Sequence, residues 1–159
     1  MTTKNTDLVA NFEASPQVAN NAAELAGVLR TAHGTVELAA GDSTDNDIVM
    51  LAPIPSNAAV PQLFVGSDTF GGSCTFNVGL YTSAGVVKDE DVFATSVADA
   101  GAMADVRFEV ADLNTGSQKL WELAGDSTDP GGYFYVAITF NATGGTGGSL
   151  NWNINYIVD

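Results

Sequence analysis

From Gly34 to the end of the chain, apolar and polar residues alternate with a period of two, the pattern of strands that turn one face to a core. The last stretch is the clearest. Leu150, Trp152, Ile154, Tyr156 and Val158 alternate with Asn151, Asn153, Asn155 and Ile157. One side is apolar and the other is a ladder of amides. Phe134, Val136, Ile138 and Phe140 share a side within Tyr133–Phe140, as do Cys74, Phe76, Val78 and Leu80, and also Val106, Phe108 and Val110. Val36, Leu38 and Ala40 open the series, and Ile48–Ala52 is a continuous apolar run that suits a strand covered on both faces. Val60–Val65 and Leu120–Leu123 complete it, with Pro61 pointing to an edge or a first position for the former. Turns rich in Gly, Asp and Ser separate the runs, and the pentapeptide Gly-Asp-Ser-Thr-Asp serves twice, at 41–45 and 125–129.

Two segments break the pattern. Asp89, Glu90 and Asp91 stand ahead of an Ala-rich stretch that runs to Ala104, which predicts a short helix. The first 33 residues have no two-residue period. Met1–Ser15 is polar apart from Leu8, Val9 and Phe12 and reads as a flexible arm, or one that orders on a partner. Ser15-Pro16 could cap a helix over 16–29, with Val18, Ala22, Leu25 and Leu29 at helical spacing. Asn20, Asn21 and Gly27 weaken it, and an extended segment fits as well. The pattern therefore predicts an all-β fold: an antiparallel β-sandwich of about eight strands over residues 34–159, with one short helical insert and an N-terminal arm over 1–33. The strand count suits a jelly roll, while periodicity alone leaves an immunoglobulin-like order open.

Charge narrows the partners. Nineteen Asp and Glu oppose five Lys and Arg, for a formal charge of −14. Lys4, Arg30, Lys88, Arg107 and Lys119 are too scattered to neutralise a run of phosphates, so nucleic acid is excluded as a partner. Anionic membrane surfaces are disfavoured for the same reason. No basic-then-apolar leader is visible and no apolar run approaches the ~20 residues of a membrane span, so a soluble chain is expected. Charged residues make up 15% of the chain, below a usual share of about 25%. Ser, Thr, Asn and 17 Gly stand in their place, a surface typical of strands and tight turns.

Candidate chemistry is sparse. A single cysteine, Cys74, excludes an internal disulfide, and with a single histidine, His33, it leaves no zinc set. Cys74 falls in phase with Phe76 and Val78 and reads as a core thiol, and no G-x-S-x-G elbow occurs. The acids sit mostly in turns, with nothing that marks one of a pair as desolvated for glycoside hydrolysis. Asp42, Asp45 and Asp47 crowd three carboxylates into six residues, but the spacing lacks the Gly and Glu of an EF-hand and a plain turn explains it better. No catalytic residue, metal or cofactor is expected. Sugar stacking would use Tyr81, Tyr133, Tyr135 or Trp152. Trp152 is in phase with the core, whereas Tyr133 and Tyr135 face solvent or a partner. The Gly-Gly-Thr-Gly-Gly loop at 144–148 lacks the Lys and helix start of a phosphate cradle.

Two stretches carry a family likeness. Asp45-Asn46-Asp47-Ile48-Val49-Met50-Leu51-Ala52-Pro53-Ile54-Pro55-Ser56-Asn57-Ala58 resembles the D-x-D-I-x-x-L-A-x-[IV]-P-S-N-A segment of the small jelly-roll proteins that decorate, or cement, tailed-phage capsids. Asn77-Val78-Gly79-Leu80-Tyr81, with Gly85-Val86-Val87-Lys88-Asp89-Glu90-Asp91-Val92-Phe93-Ala94, is similar to their D-x-G-L-Y … G-x-V-V-D-x-D-x-F-A region. Gly34–Leu38, Leu120–Leu123 and Asp129-Pro130-Gly131 fit the same pattern, so the likeness spans about residues 34–159. Asn77 and Lys88 stand where that pattern has Asp, and the arm resembles nothing closely.

The resemblance implies a virion protein on the outer capsid surface. It would bridge major capsid subunits, act as a homo-oligomer (dimer or trimer) and stabilise the shell against the pressure of packaged DNA. Contact candidates are Leu8, Val9 and Phe12 in the arm, Arg30, and the strand tyrosines Tyr133 and Tyr135. The alternative is a glycan-binding sandwich on a virion surface or fibre.

Overall fold

Most strands form where the two-residue period predicts them, because each buries one apolar face against a second sheet. The computed structural model describes residues 5–21, 24–99, 101–108 and 113–158. Among them, eight strands run in chain order as β1 (Leu29–Leu38), β2 (Ile48–Pro55), β3 (Ala58–Ser67), β4 (Thr75–Tyr81), β5 (Val87–Ala98), β6 (Ala104–Asp105), β7 (Tyr133–Phe140) and β8 (Gly148–Val158). They make two four-stranded antiparallel sheets, ordered β1-β8-β3-β6 and β2-β7-β4-β5. Strand 1 pairs with 8, 2 with 7, 3 with 6 and 4 with 5. That nesting is a long hairpin rolled into two layers, the strand order of a jelly roll.

The core lies between the layers. Leu63 and Val65 of β3 and Leu150 and Ile154 of β8 meet Phe76, Val78 and Leu80 of β4 and Phe134, Val136, Ile138 and Phe140 of β7. Phe140 takes the edges of Phe70 and Phe76, with ring centroids 5.6 and 6.1 Å away. Cys74 is buried in this core and its thiol donates to the Ala142 carbonyl at 3.2 Å, as its phase predicts. Burial raises its pKa, with the Asp99 charge adding to the effect.

Several elements differ from the sequence expectation. β1 starts at Leu29, inside the stretch that the change of period assigns to the arm, and pairs with β8 without interruption from Leu29↔Ile157 to Leu38↔Gly148. The helix near the N-terminus, α1 (Asp7–Glu13), precedes the 16–29 segment rather than occupying it. Amides of the following chain hold it in place. Asn20 Nδ2 donates to the Leu8 carbonyl at 3.1 Å, Asn11 Nδ2 to Asn20 Oδ1 at 2.9 Å, and Val18 N to the Asn11 carbonyl. The described residues 16–21 are not helical, and Ala22 and Ala23 lie outside the described residues.

The helical insert also moves. Asp89–Ala98 is part of strand β5, and the short helix is α2 (Leu120–Leu123), a run that reads as a strand. A four-residue run with three apolar positions carries too little period to separate the two. Leu120 is buried under the core, Glu122 accepts from its own helix's first N–H, at Lys119, and Trp121 N donates to the Ser56 carbonyl. β5 is a strand because β4 offers it a ladder, and tertiary pairing overrides the Ala-rich propensity. Its register shifts three times against β4. The Asp89 and Glu90 backbone passes so close to Gly79 that a Cβ there would collide with it.

The strand expected over Val106, Phe108 and Val110 does not form at Val106–Phe108; the two-residue β6 ends just before it, with Arg107 buried and Phe108 partly exposed. Val110 lies outside the described residues. Pro61 falls in the register shift between Ala59 and Gln62, beyond the reach of β6, which pairs with β3 at Phe64 and Val65.

Candidate functional site

The contact candidates fall in three separate places. Leu8, Val9 and Phe12 ride on α1, which has no buried residue. Leu8 is half-buried at a shallow depression of about 530 Å³, whose apolar floor includes Pro61, Phe108 and Leu113 and whose rim carries Asp7 and Glu24. Val9 and Phe12 point away and stay exposed, Phe12 by 66%. Arg30 is exposed near the start of β1, opposite Tyr156. Tyr133 opens β7 opposite Pro55 and is 63% exposed. Tyr135 is half-buried between Pro53 of β2 and Tyr81 of β4. These side chains lie apart and do not converge on one reacting atom.

Tyr81 is unavailable as a stacking platform. β5 folds over the outer face of its sheet and buries the ring, and the phenol shares a hydrogen bond with Thr139 Oγ1. Burial raises the phenol's pKa above its ordinary value. The Thr139 bond works against that, and the charges of Glu90, Asp89 and Asp91 add to it. Beside it, Asn77 Oδ1 accepts from Ser96 N at 2.9 Å and from Asn141 Nδ2 at 2.6 Å, which satisfies the backbone where β5 bulges. Asp89 is held above the usual carboxylate range by burial, with Asp91 as its charged neighbour. Trp152 is half-buried against the core as its phase predicts.

Two of the three carboxylates at Asp42, Asp45 and Asp47 are bonded to their own turn. Asp42 Oδ2 accepts from Ala39 N at 2.8 Å, and Asp47 Oδ2 accepts from both the backbone N–H and the hydroxyl of Thr44. The Thr44 hydroxyl bond, then the backbone bond, hold Asp47 below the usual carboxylate range. Among the described residues, no three His, Cys, Asp or Glu side chains are grouped to hold a metal ion. None of their helices is long and apolar enough to cross a membrane.

The outer face of the first sheet is a lattice of amides and hydroxyls. Thr31 donates to Asn153 at 3.0 Å, Thr35 to Asn151 at 2.6 Å, Asn155 to Gln62 at 2.9 Å and Ser149 to Glu37 at 2.7 Å. The period of β8 foretold this face. Periodicity missed the exposed apolar group at the head of β1, where Leu25, Val28 and Leu29 lie open to solvent. Leu25 and Leu29 sit at helical spacing, which hides Leu29's place in a strand.

No protein-family model matches the chain, and neither does any curated protein sequence. Solved structures do. A chain of the capsid asymmetric unit of cyanophage Pam1 superposes with a TM-score of 0.57 and 22% identity over 84% of this chain and 86% of that one. A chain of the capsid of Ralstonia phage GP4 gives 0.56 and 18% over the same shares. At such identities the likeness establishes a shared fold, the two-layered sandwich described above.

Proposed function

We propose that the protein is a cement, or decoration, protein that binds the outside of an assembled phage head. In that role it bridges major capsid subunits and stabilises the shell, without enzymatic activity. The observation that carries the proposal is the arm. The bonds that hold α1 run within residues 5–20, none of its residues is buried, and Val9, Phe12 and Val18 remain open to solvent. A segment that is ordered but leaves Val9 and Phe12 uncovered suits a neighbour's surface.

The two capsid chains that share this fold support the same role, as do the sequence strings that resemble cement proteins. A charge of −14 favours the outside of the head, because a surface lining the packaged genome would be repelled. The action is mass action. A subunit that binds only the assembled shell stabilises it by RT ln(1 + [L]/Kd), about 2.7 kcal/mol per site at a hundredfold excess over Kd. Several sites joined in one oligomer add avidity.

The test compares heads assembled with and without the protein for opening on heating and after osmotic shock. Heads that lack it open at lower temperature, and a Val9→Ser/Phe12→Ser variant that folds normally fails to attach. Identical opening with and without the protein would refute the stabilising role. The 63% exposure of Tyr133 favours the alternative, glycan binding. If Tyr133→Ala abolishes binding to a glycan array while shell attachment persists, the alternative replaces the first reading.

A further inference from the structure

The four sheet edges are not alike. β2 is interrupted by Pro53 and Pro55 and by a register shift between Met50 and Ala52. β5 is shifted three times and carries Lys88, Asp89, Glu90 and Asp91 in succession. β6 is two residues long. Prolines, bulges, charge runs and shortness are the devices by which proteins keep sheet edges from pairing with other chains. β1 has none of them: it is ten residues long, runs in unbroken register with β8 and has no proline. Its charges, Arg30 and Glu37, cancel and stand near opposite ends, so Thr31–Val36 offers an uncharged backbone.

We propose that the free edge of β1 pairs antiparallel with β1 of a second copy of this chain, joining the two four-stranded sheets into one of eight strands. The occupant follows from what flanks the edge. At its head lie the exposed Leu25, Val28 and Leu29. At its tail a groove of about 520 Å³ opens between β1 and β2, with the partly exposed Ile48 and Met50 on one side and the acids Glu37, Asp42 and Asp47 around them. A two-fold axis through an antiparallel pair sets the head of each strand beside the tail of the other. Each copy's apolar head then covers Ile48 and Met50 of the other, and each Arg30 end runs alongside the other's acidic end at Glu37, Asp42 and Asp47. Such reciprocal matching is the condition for an isologous dimer. Edge pairing supplies backbone hydrogen bonds, and the flanking apolar groups supply the buried core of the interface.

The test uses the purified full chain alone, so its outcome is separate from shell attachment. Sedimentation from micromolar to near-millimolar concentration should give a dimer. Hydrogen exchange should slow across 30–37 as the dimer forms. A His33→Lys/Thr35→Lys variant, with new charges on the edge strand, should sediment at half the mass, and Val28→Ser/Leu29→Ser should weaken the dimer at least tenfold. Ala98→Lys on the β5 edge should leave the mass unchanged. A wild-type monomer at every concentration, a trimer, or a dimer that survives the Lys pair overturns the proposal. So does exchange protection of β1 that appears only on assembled heads, since another protein's strand would then be the occupant.

Discussion

Ser56 Oγ donates a hydrogen bond to Asp129 Oδ1 across 2.6 Å and 73 residues of chain. The same serine donates its N–H to the Gly132 carbonyl at 3.0 Å and accepts from Trp121 N at 3.1 Å. Two of the strings that resemble capsid cement proteins, Pro55-Ser56-Asn57-Ala58 and Asp129-Pro130-Gly131, thus meet at one buried serine. There they tie the β2–β3 turn to α2 and to the approach to β7. The bonds of these strings are internal ones, so they read as scaffold.

Replacing Ser56 by Ala should lower Tm by several degrees at neutral pH. The Ser56 hydroxyl, and after it the Gly131 N–H, hold Asp129 below the usual carboxylate range. A depressed folded pKa contributes stability above the unfolded value, and the contribution is lost as pH falls through the folded one. The gap between wild type and Ser56→Ala should therefore close as pH drops below the ordinary carboxylate pKa of 3.8. Melting curves from pH 7 to strong acid check this, and a gap that stays constant into strong acid contradicts it.

Asp89 should behave in the opposite sense. Burial raises its folded pKa above 3.8, so its charged form weakens the fold at neutral pH. The penalty fades as pH falls through the raised folded value and is gone below the unfolded one. Asp89→Asn keeps an oxygen for the Asp91 N–H bond at 3.3 Å and should raise Tm at pH 7. The gain should vanish in acid, and a variant that melts lower than wild type at pH 7 refutes the assignment.

Gly34 lies under the Trp152 indole, and a Cβ added there would stand 2.8 Å from Cζ2 of the ring. Gly34→Ala should cost about 1–3 kcal/mol by overpacking. Adding Trp152→Phe should recover part of it, so the two effects are not additive. Denaturant titration of the two single variants and the double variant gives the coupling directly, and strict additivity would show that the indole is not what fills the space.

Legibility followed the strength of the local period. β7 and β8 were readable because a buried layer and an amide lattice lie on opposite sides of the same strand, and one residue of slip would exchange them. β5 was not, because its acids and alanines favour a helix locally. Only Gly79, 10 residues or more away in the chain, makes room for its backbone. The polar arm's few apolar residues, Leu8, Val9 and Phe12, carry too little period to reveal the helix α1 that holds them. The bare edge of β1 could not be read at all, since which strands end a sheet depends on the order of pairing and not on any strand's own residues.

Arg107 is buried with its guanidinium carbon 5.0 Å from the Phe93 ring centroid and 4.7 Å from that of Phe108. Its Nε donates to the Val60 carbonyl at 2.7 Å, and Nη2 donates to the carbonyl and hydroxyl of Thr115. One side chain thereby pins the long connection after β6 to β3 and β5. Arg107→Met keeps the apolar stem between the rings but leaves buried carbonyls without donors, at about 1–3 kcal/mol for each. Arg107→Lys retains the charge without the planar fork and should recover less than half of the loss. Amides at Asn114–Gln118 should exchange faster in both variants while those of β7 do not, because the connection loosens before the sandwich opens. Equal exchange at Asn114–Gln118 in wild type and Arg107→Met would show that the connection is held by other contacts.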